Sequence, residues 1–497
     1  MRFKPFIAKL APLFVCVGMV GCTTVGPDYK IPENADINKP GAAEPFAAAQ
    51  EKVFKSDALP DHWWKLYDDP VLNSLIEKSL SNNTDLRVAS ANLARARAAL
   101  EEAAMGTIPQ VSVSAEPAFG RSSAASHGFG NRFSDAWKFD GGLNVSYQLD
   151  LFGQIARGIE AASADTDAAQ AALDVTRIPV AADTAKAYAD ACSSAQRIGI
   201  AEHSAELQRQ FLDTTQQLTR GGRGTAMDVS RARAQYESLR AAVPPLQAQQ
   251  KIALYKLAVL TGELPNALVA TIGQCKTAPK LSQAIPVGDG AALLKRRPDI
   301  RQAERKLAAT SARIGVATAD LYPKINLGLS GGFTGRMNGF DQNNGYRWSI
   351  GPLISWTIPD TGTARSRIKQ AKAEHQAAFA RFDASVLNAL KETESALTSY
   401  ARELDRNALL KAARDQSALA ADQAHRLYKH GRIDFLATLD AERTLANDES
   451  AYAASSAKLV NDQIGVFLAL GGGFIFLITI PFDTVPMAPV SWFIKML

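Results

Sequence analysis

The sequence predicts a mainly α-helical fold built as two tandem copies, each carrying a pair of β-strands of membrane-crossing length. Three observations carry this. The stretch Gly153 to Gly262 recurs as Gly362 to Gly471 at a constant offset of 209 residues, with Gly153/Gly362, Ile159/Ile368, Ala162/Ala371, Leu218/Leu427, Gly222/Gly431, Arg223/Arg432, Ala232/Ala441 and Gly262/Gly471 matching without a gap. The apolar period is helical through long Ala-rich runs but drops to two at about 109–119, 138–150, 323–333 and 346–358. At 497 residues the chain exceeds the usual single core, and a repeat accounts for that length.

Residues 1–21 read as a signal peptide. Arg2, Lys4 and Lys9 precede the apolar run Leu10 to Val20, which is too short to span a bilayer as a mature helix. The run ends in Met19-Val20-Gly21-Cys22, which resembles a bacterial lipobox with Met19 where Leu is usual. The resemblance implies that Cys22 becomes the acylated, palmitate-bearing first residue of the mature chain. Thr23 after it, rather than Asp, implies the outer membrane. The alternative is an ordinary secretion signal with an incidental Cys. Residues 22–62 carry Gly26, Pro27, Pro32, Pro40, Pro45 and Pro60 without periodicity and read as an extended strap.

The first repeat occupies 63–290. Leu72, Leu75, Ile76 and Leu80 sit at helical spacing, Asn83 and Asp85 mark a cap, and an Ala-rich helix follows from Leu86 to Met105 until Pro109 stops it. Val111 and Val113 then alternate with Ser112 and Ser114, and Leu143, Val145, Tyr147 and Leu149 alternate with polar residues. Such strands have the length that a tilted strand needs to cross an outer membrane, a soluble hairpin with one buried face being the alternative for the pair taken alone; Phe119 to Phe133, between them, reads as a surface loop.

From Gly153 a long arm of roughly 100 Å runs to a turn at Arg220 to Gly224, and a return arm of roughly 55 Å comes back about halfway. Pro179 inside the long arm is expected to bend or locally open it, a helix boundary being the alternative. The lengths allow Cys192 to meet Cys275 and form a disulfide in an oxidising periplasm; two separate thiols are the alternative.

The second repeat occupies 291–473. Residues 299–327 align with 85–113 at an offset of 214, so the five-residue change of register falls in the inter-strand loop. Ile325, Leu327 and Leu329, then Trp348, Ile350, Ile354, Trp356 and Ile358, repeat the strand pattern, and Tyr147 and Trp356 correspond as candidates for an aromatic girdle. Residues 474–497 form an atypical hydrophobic tail, for which Gly471 to Gly473 and Pro481 argue against a transmembrane helix.

Several motifs carry a resemblance that covers about residues 19–473. Cys22-Thr-Thr-Val-Gly-Pro-Asp-Tyr29, Trp63-Trp64-Lys65-Leu66-Tyr67-Asp68-Asp69-Pro70 and the residues to Ile76, Leu294 to Arg301, and Ala319 to Ile325 resemble the NodT group of outer-membrane efflux lipoproteins, within the TolC-like outer-membrane factor family. The resemblance implies a trimer, with a 12-strand β-barrel continuing into a 12-helix periplasmic α-barrel. It also implies passive conduction of drugs or other small toxic compounds, a periplasmic membrane-fusion adaptor, an inner-membrane RND-type transporter, and adaptor-contacting tips at Gly222, Arg223, Gly224, Thr225 and Gly431, Arg432, Ile433, Asp434. The strand count agrees: four strands per chain cannot close in lipid, two chains give a filled barrel, and three leave a channel.

Asp228, Tyr428, Arg432 and Asp434 are expected to hold the periplasmic mouth closed by ionic and hydrogen bonds. The alternative is solvated tip charges worth at most about 1 kcal/mol per exposed pair. Residues 1–21 hold three cations and no acid, so the net charge of +5 falls to +2 for the remainder, which offers nucleic acid no basic patch. The six His lie scattered without metal-ligand spacing. No cofactor is expected and no enzymatic constellation is present. A type I secretion exit duct is the alternative within the fold, and a lipid-anchored coiled-coil scaffold without a pore is the alternative from another class.

Overall fold

The computed structural model describes residues 24–51, 53–57, 59–121, 134–265, 275, 277–281, 283–336, 345–356 and 361–472. The expected signal peptide, Cys22, most of the two inter-strand loops, the end of the last expected strand at 357–358 and the tail 474–497 lie outside the described residues.

The strap runs largely extended, with single turns at Asp36–Asn38, Pro40–Ala43 and Ala47–Gln50, and then a two-residue strand β1 (Phe54–Lys55). A 3₁₀ turn, Trp63–Tyr67, buries Trp63, Trp64 and Tyr67. Asp69 caps helix α1 (Pro70–Asn82) by accepting from the N–H groups of Val71 and Leu72, and Asn83 caps α2 (Thr84–Ala104) by accepting from Asp85 and Leu86. A 3₁₀ turn, Met105–Thr107, ends that helix two residues ahead of Pro109. Strands β2 (Gln110–Gly120) and β3 (Ala136–Leu149) follow, β2 reaching two residues into the segment expected to be loop.

Helix α3 (Gln154–Arg220) is 67 residues long, about 100 Å. Pro179 lies inside it and no boundary falls there, so the helix runs through the missing donor. The return arm differs from the single arm that the sequence suggested: it divides at Ala242 into α4 (Ala226–Ala241) and α5 (Val243–Leu260). Pro244 and Pro245 cause this, because neither can donate to the carbonyl one turn back, while the first turn of a new helix tolerates them.

Strand β4 (Ile285–Pro286) pairs in parallel with β1 and ties the segment before the second repeat to the strap. Helices α6 (Gly290–Arg296) and α7 (Pro298–Ala319), strands β5 (Lys324–Arg336) and β6 (Tyr346–Ser355), and helices α8 (Thr361–Lys429) and α9 (Phe435–Ala469) complete the chain. The 35-residue α9 is continuous where the first repeat breaks, for Ala453 and Ala454 stand at the positions of Pro244 and Pro245.

The main core lies at mid-height, where the strap, α1, α3, α5, α8 and α9 meet. Trp63 stacks on Phe467 with centroids 4.7 Å apart, and the Tyr188 hydroxyl donates to Asp69 at 3.0 Å. Burial there is broad because Ala lets the helices close on one another. Cys192 and Cys275 are joined in a disulfide beside this core, with Cα atoms 5.1 Å apart.

Candidate functional site

The four long strands form one antiparallel sheet in the order β2-β3-β5-β6. Its register puts like residues in rows. Val111 pairs with Val145, Val145 with Leu329 and Leu329 with Ile350, and the next apolar row holds Val113, Leu143, Gly331 and Trp348. The rows between are polar: Ser112, Asn144, Ser330 and Ser349 stand side by side, with the Ser330 and Ser349 hydroxyls 2.7 Å apart. Asp140 accepts from Thr334 and pairs with Arg347 on that same face. One face is therefore apolar and the other polar. The apolar face is bare within the chain: Val113 and Trp348 are each 77% exposed.

Both edges of the sheet are open too, for β2 and β6 each have one strand neighbour. Beneath the sheet the helices keep the same lateral order. In the upper half α3 and α8 flank α7, and α2 lies on the far side of α3; in the lower half α9 sits between α3 and α8, with α4 and α5 beyond α3. Above and below the mid-height core the described residues thus form a slab one layer thick, with the β2 and β6 edges of its sheet free. Aromatic side chains mark the foot of the sheet, where Phe152 stacks on Tyr322 at 4.5 Å and the Trp356 indole donates to the Leu321 carbonyl at 3.3 Å.

The two helical turns at the far end have identical geometry. Gly222 and Gly431 adopt φ of 75° and 69°, Arg223 N–H donates to Leu218 O at 2.8 Å, and Arg432 N–H donates to Leu427 O at 2.9 Å. Each is a helix stop in which a left-handed glycine lets the chain satisfy the last carbonyls, and a side chain there would be strained. This explains why the glycines recur in both copies. The guanidinium of Arg223 lies over Gly431, so the two tips touch within one chain.

The structure does not assemble the four expected gate residues into one network within the chain. Asp228 bonds the Thr225 N–H and hydroxyl in a capping box, and Asp434 caps α9 by accepting from Ala437 N–H at 2.7 Å. Tyr428 is buried in an aromatic cluster rather than facing the mouth. Its ring lies 5.3 Å from Phe211, which stacks on Phe435 at 5.5 Å. Arg432 remains exposed. Sequence reading missed this cluster because its members come from helices far apart in the chain; the signal available was three aromatics close to the two turns in helices otherwise dominated by Ala.

Electrostatic braces cross between helices. Arg301 and Arg177 pair with Asp174, yet burial outweighs them and pushes its carboxyl above the ordinary range. Glu403 shows the opposite balance: burial raises it, but the Ser455 hydroxyl at 2.6 Å, Lys458 and Arg406 together hold it below the usual range.

The family model described as outer membrane efflux protein matches residues 75–263 and 291–472. Nodulation protein T of Rhizobium leguminosarum bv. trifolii is 28% identical over 485 residues, covering 95% of this chain and 98% of that protein. Cation efflux system protein CusC of Escherichia coli K12 is 27% identical over 473 residues, 94% of this chain and 99% of that one. The solved outer-membrane channel OprN superposes with a TM-score of 0.84 at 37% identity, covering 91% of this chain and 99% of its own.

Proposed function

The chain belongs to the outer membrane efflux protein family, is an outer-membrane channel protein and not an enzyme, and from that premise we propose that three copies form the exit duct of a tripartite pump. The observation that carries the assembly is the sheet with one wholly apolar face and two open edges. In hydrocarbon every backbone group must be paired, so edges β2 and β6 must close on other copies. Two copies would give 8 strands around a filled interior, and three give 12 around a water-filled one. The polar rows of Ser112, Asn144, Ser330 and Ser349 then line the lumen, the apolar rows face lipid, and Cys22 anchors the strap to the same membrane.

Conduction is passive: the wall offers a polar bore, and the driving force comes from an inner-membrane transporter of the RND type through a periplasmic adaptor. The tips Gly222 to Thr225 and Gly431 to Asp434 meet that adaptor. Their backbones are held by the glycine stops, so Arg223 and Arg432 are the side chains presented. Arg432, exposed at the mouth, is the residue that holds it closed; the capping carboxylates fix the helix ends around it.

The test uses the full-length protein, purified in detergent and fused into planar bilayers. A mass of three chains with discrete conductance is expected, and a stable non-conducting monomer overturns the duct. Arg432→Glu is expected to raise single-channel conductance, whereas an unchanged conductance removes Arg432 from the gate and leaves the duct standing.

A further inference from the structure

At the top of α8, just below the foot of β6, Arg365, Lys369 and Lys372 stand at i, i+4 and i+7. That spacing puts them on one flank of the helix in a stripe about 10 Å tall. All three are exposed. Arg367, one turn-face away, is paired with Asp320 at 3.2 Å, whereas the three have no carboxylate partner among the described residues.

The direction of the stripe follows from the helix itself. Asp383 lies eighteen residues below Arg365, five full turns, and so on the same flank. Its carboxylate accepts the Asp36 N–H of the strap at 2.9 Å. The strap begins at the foot of the sheet, where Val25 N–H donates to Phe152 O at 3.1 Å. Cys22 is three residues earlier. The flank bearing the cations is therefore the one that the lipid-anchored strap meets five turns lower, at Asp383, on the side away from the lumen in the proposed duct.

The height of the stripe is equally informative. Trp356 and the Phe152–Tyr322 stack mark the foot of the sheet, and a headgroup layer extends about 5–7 Å beyond the hydrocarbon on each side. Arg and Lys side chains reach that layer from Arg365 directly and from Lys369 and Lys372 by extending upward. The first repeat supplies the contrast: the matching positions are Ala156, Glu160 and Ser163, and there the strap covers the helix, with Arg157 donating to Val25 O and pairing with Asp28 at 2.6 Å.

We propose that Arg365, Lys369 and Lys372 form a binding site for anionic phospholipid headgroups in the periplasmic leaflet of the outer membrane, one per protomer. The inference rests on the outer-membrane duct reading. A juxtamembrane cation contributes about a fivefold preference for an anionic over a zwitterionic surface, and three on one stripe act together on adjacent headgroups. The strap fastens the first repeat to the membrane level, and the stripe does the same for the second.

The experiment is native mass spectrometry of the detergent-purified full-length assembly with phosphatidylglycerol and phosphatidylethanolamine of matched acyl chains. Wild type is expected to retain phosphatidylglycerol preferentially. The triple variant Arg365→Ala, Lys369→Ala, Lys372→Ala is expected to lower that preference about tenfold or more, and the charge-keeping triple Arg365→Lys, Lys369→Arg, Lys372→Arg to retain it. An unchanged preference in the alanine triple overturns the site, as does equal retention of inorganic phosphate, which would make it a general anion site. Dissociation of the alanine triple into single chains also overturns it, assigning the cations to carboxylates of a neighbouring protomer. Conductance of the same wild-type preparation separates the two readings: a conducting assembly without lipid preference sinks only this inference, and a non-conducting one sinks the duct.

Discussion

The two hairpins that descend from mid-height share their length and turn chemistry, but they are packed differently. In the second, α9 lies between α8 and α3 and buries Phe435, Thr438, Leu439, Leu445 and further residues along one unbroken helix. In the first, α4 leans chiefly on α3, buries only Ala232, and gives way to α5 at the proline pair. The first base is bracketed by the Cys192–Cys275 link, while Ala401 stands at the position in the second repeat that matches Cys192. Duplication has preserved what the backbone demands and released what packing demands. Glycines with positive φ recur because other residues are strained there. The arms diverged because α9 is an interior stave of the slab and α4 with α5 is an edge one, its outer flank facing the next copy in the proposed trimer.

The largest test of this contrast is at Phe211. The residue belongs to the first hairpin, yet its ring stacks on Phe435 and packs at a tilt against Tyr428 of the second. Phe211→Ala is expected to cost about 3–5 kcal/mol locally, as a buried aromatic truncation does. Hydrogen exchange should then lose protection on both sides of the tip, near 211–232 and 428–439. Loss confined to the first hairpin would mean that the tips are independent and the contrast in packing is complete.

Next in size is the covalent bracket. Removing it with Cys192→Ala and Cys275→Ala frees a loop of 83 residues that contains the whole first hairpin, at a cost of about 2–4 kcal/mol. The expected result is a lower thermal midpoint with exchange rising at 243–262 and 283–290, and an unaltered second hairpin. Equal loosening of both hairpins would show that the link serves the common core instead.

Much of this fold was legible in the sequence, for identifiable reasons. The offset of 209 and the change of period are one-dimensional signals of the slab, its turns and its strands. The caps at Asn83 and Asp69 were equally local, although only the first was read. The break at Ala242 was signalled by Pro244 and Pro245 and overlooked because the repeat alignment suggested a continuous arm. Two of the expected gate residues have a second role for a deeper reason. A carboxylate beside a turn has two uses, capping its own helix or pairing across a mouth, and only coordinates distinguish them; Asp228 and Asp434 chose the cap. Arg223 over Gly431 and the tip aromatics depend on how two hairpins lie together, which no single stretch of sequence encodes.

The smallest expected effect bears on charge. Glu442 and Glu449 of α9 stand where the first repeat has Arg233 and Arg240, so the two return arms carry opposite charge at matched positions. Glu442 is mostly buried, and its carboxyl is pushed above the ordinary range, first by desolvation and then by Glu449. His425 of α8 lies 3.9 Å from it. Because the folded-state pKa is raised, the native state holds the Glu442 proton more tightly than the unfolded chain does. The stabilising contribution is fully present below the unfolded-state pKa and is lost as pH rises through the folded one. Glu442→Gln keeps the shape and removes that ionisation. It is expected to stabilise the second hairpin by up to about 1 kcal/mol at neutral pH, with the gain shrinking as the solution is acidified toward the range where the wild-type carboxyl is already protonated. The matching change Arg233→Gln on the exposed first arm is expected to leave stability flat with pH. Thermal unfolding of the three proteins across that range reads the difference, and a Glu442→Gln variant less stable than wild type at neutral pH, with the deficit shrinking in acid, would show that the folded state holds the ionised Glu442, reversing the sign.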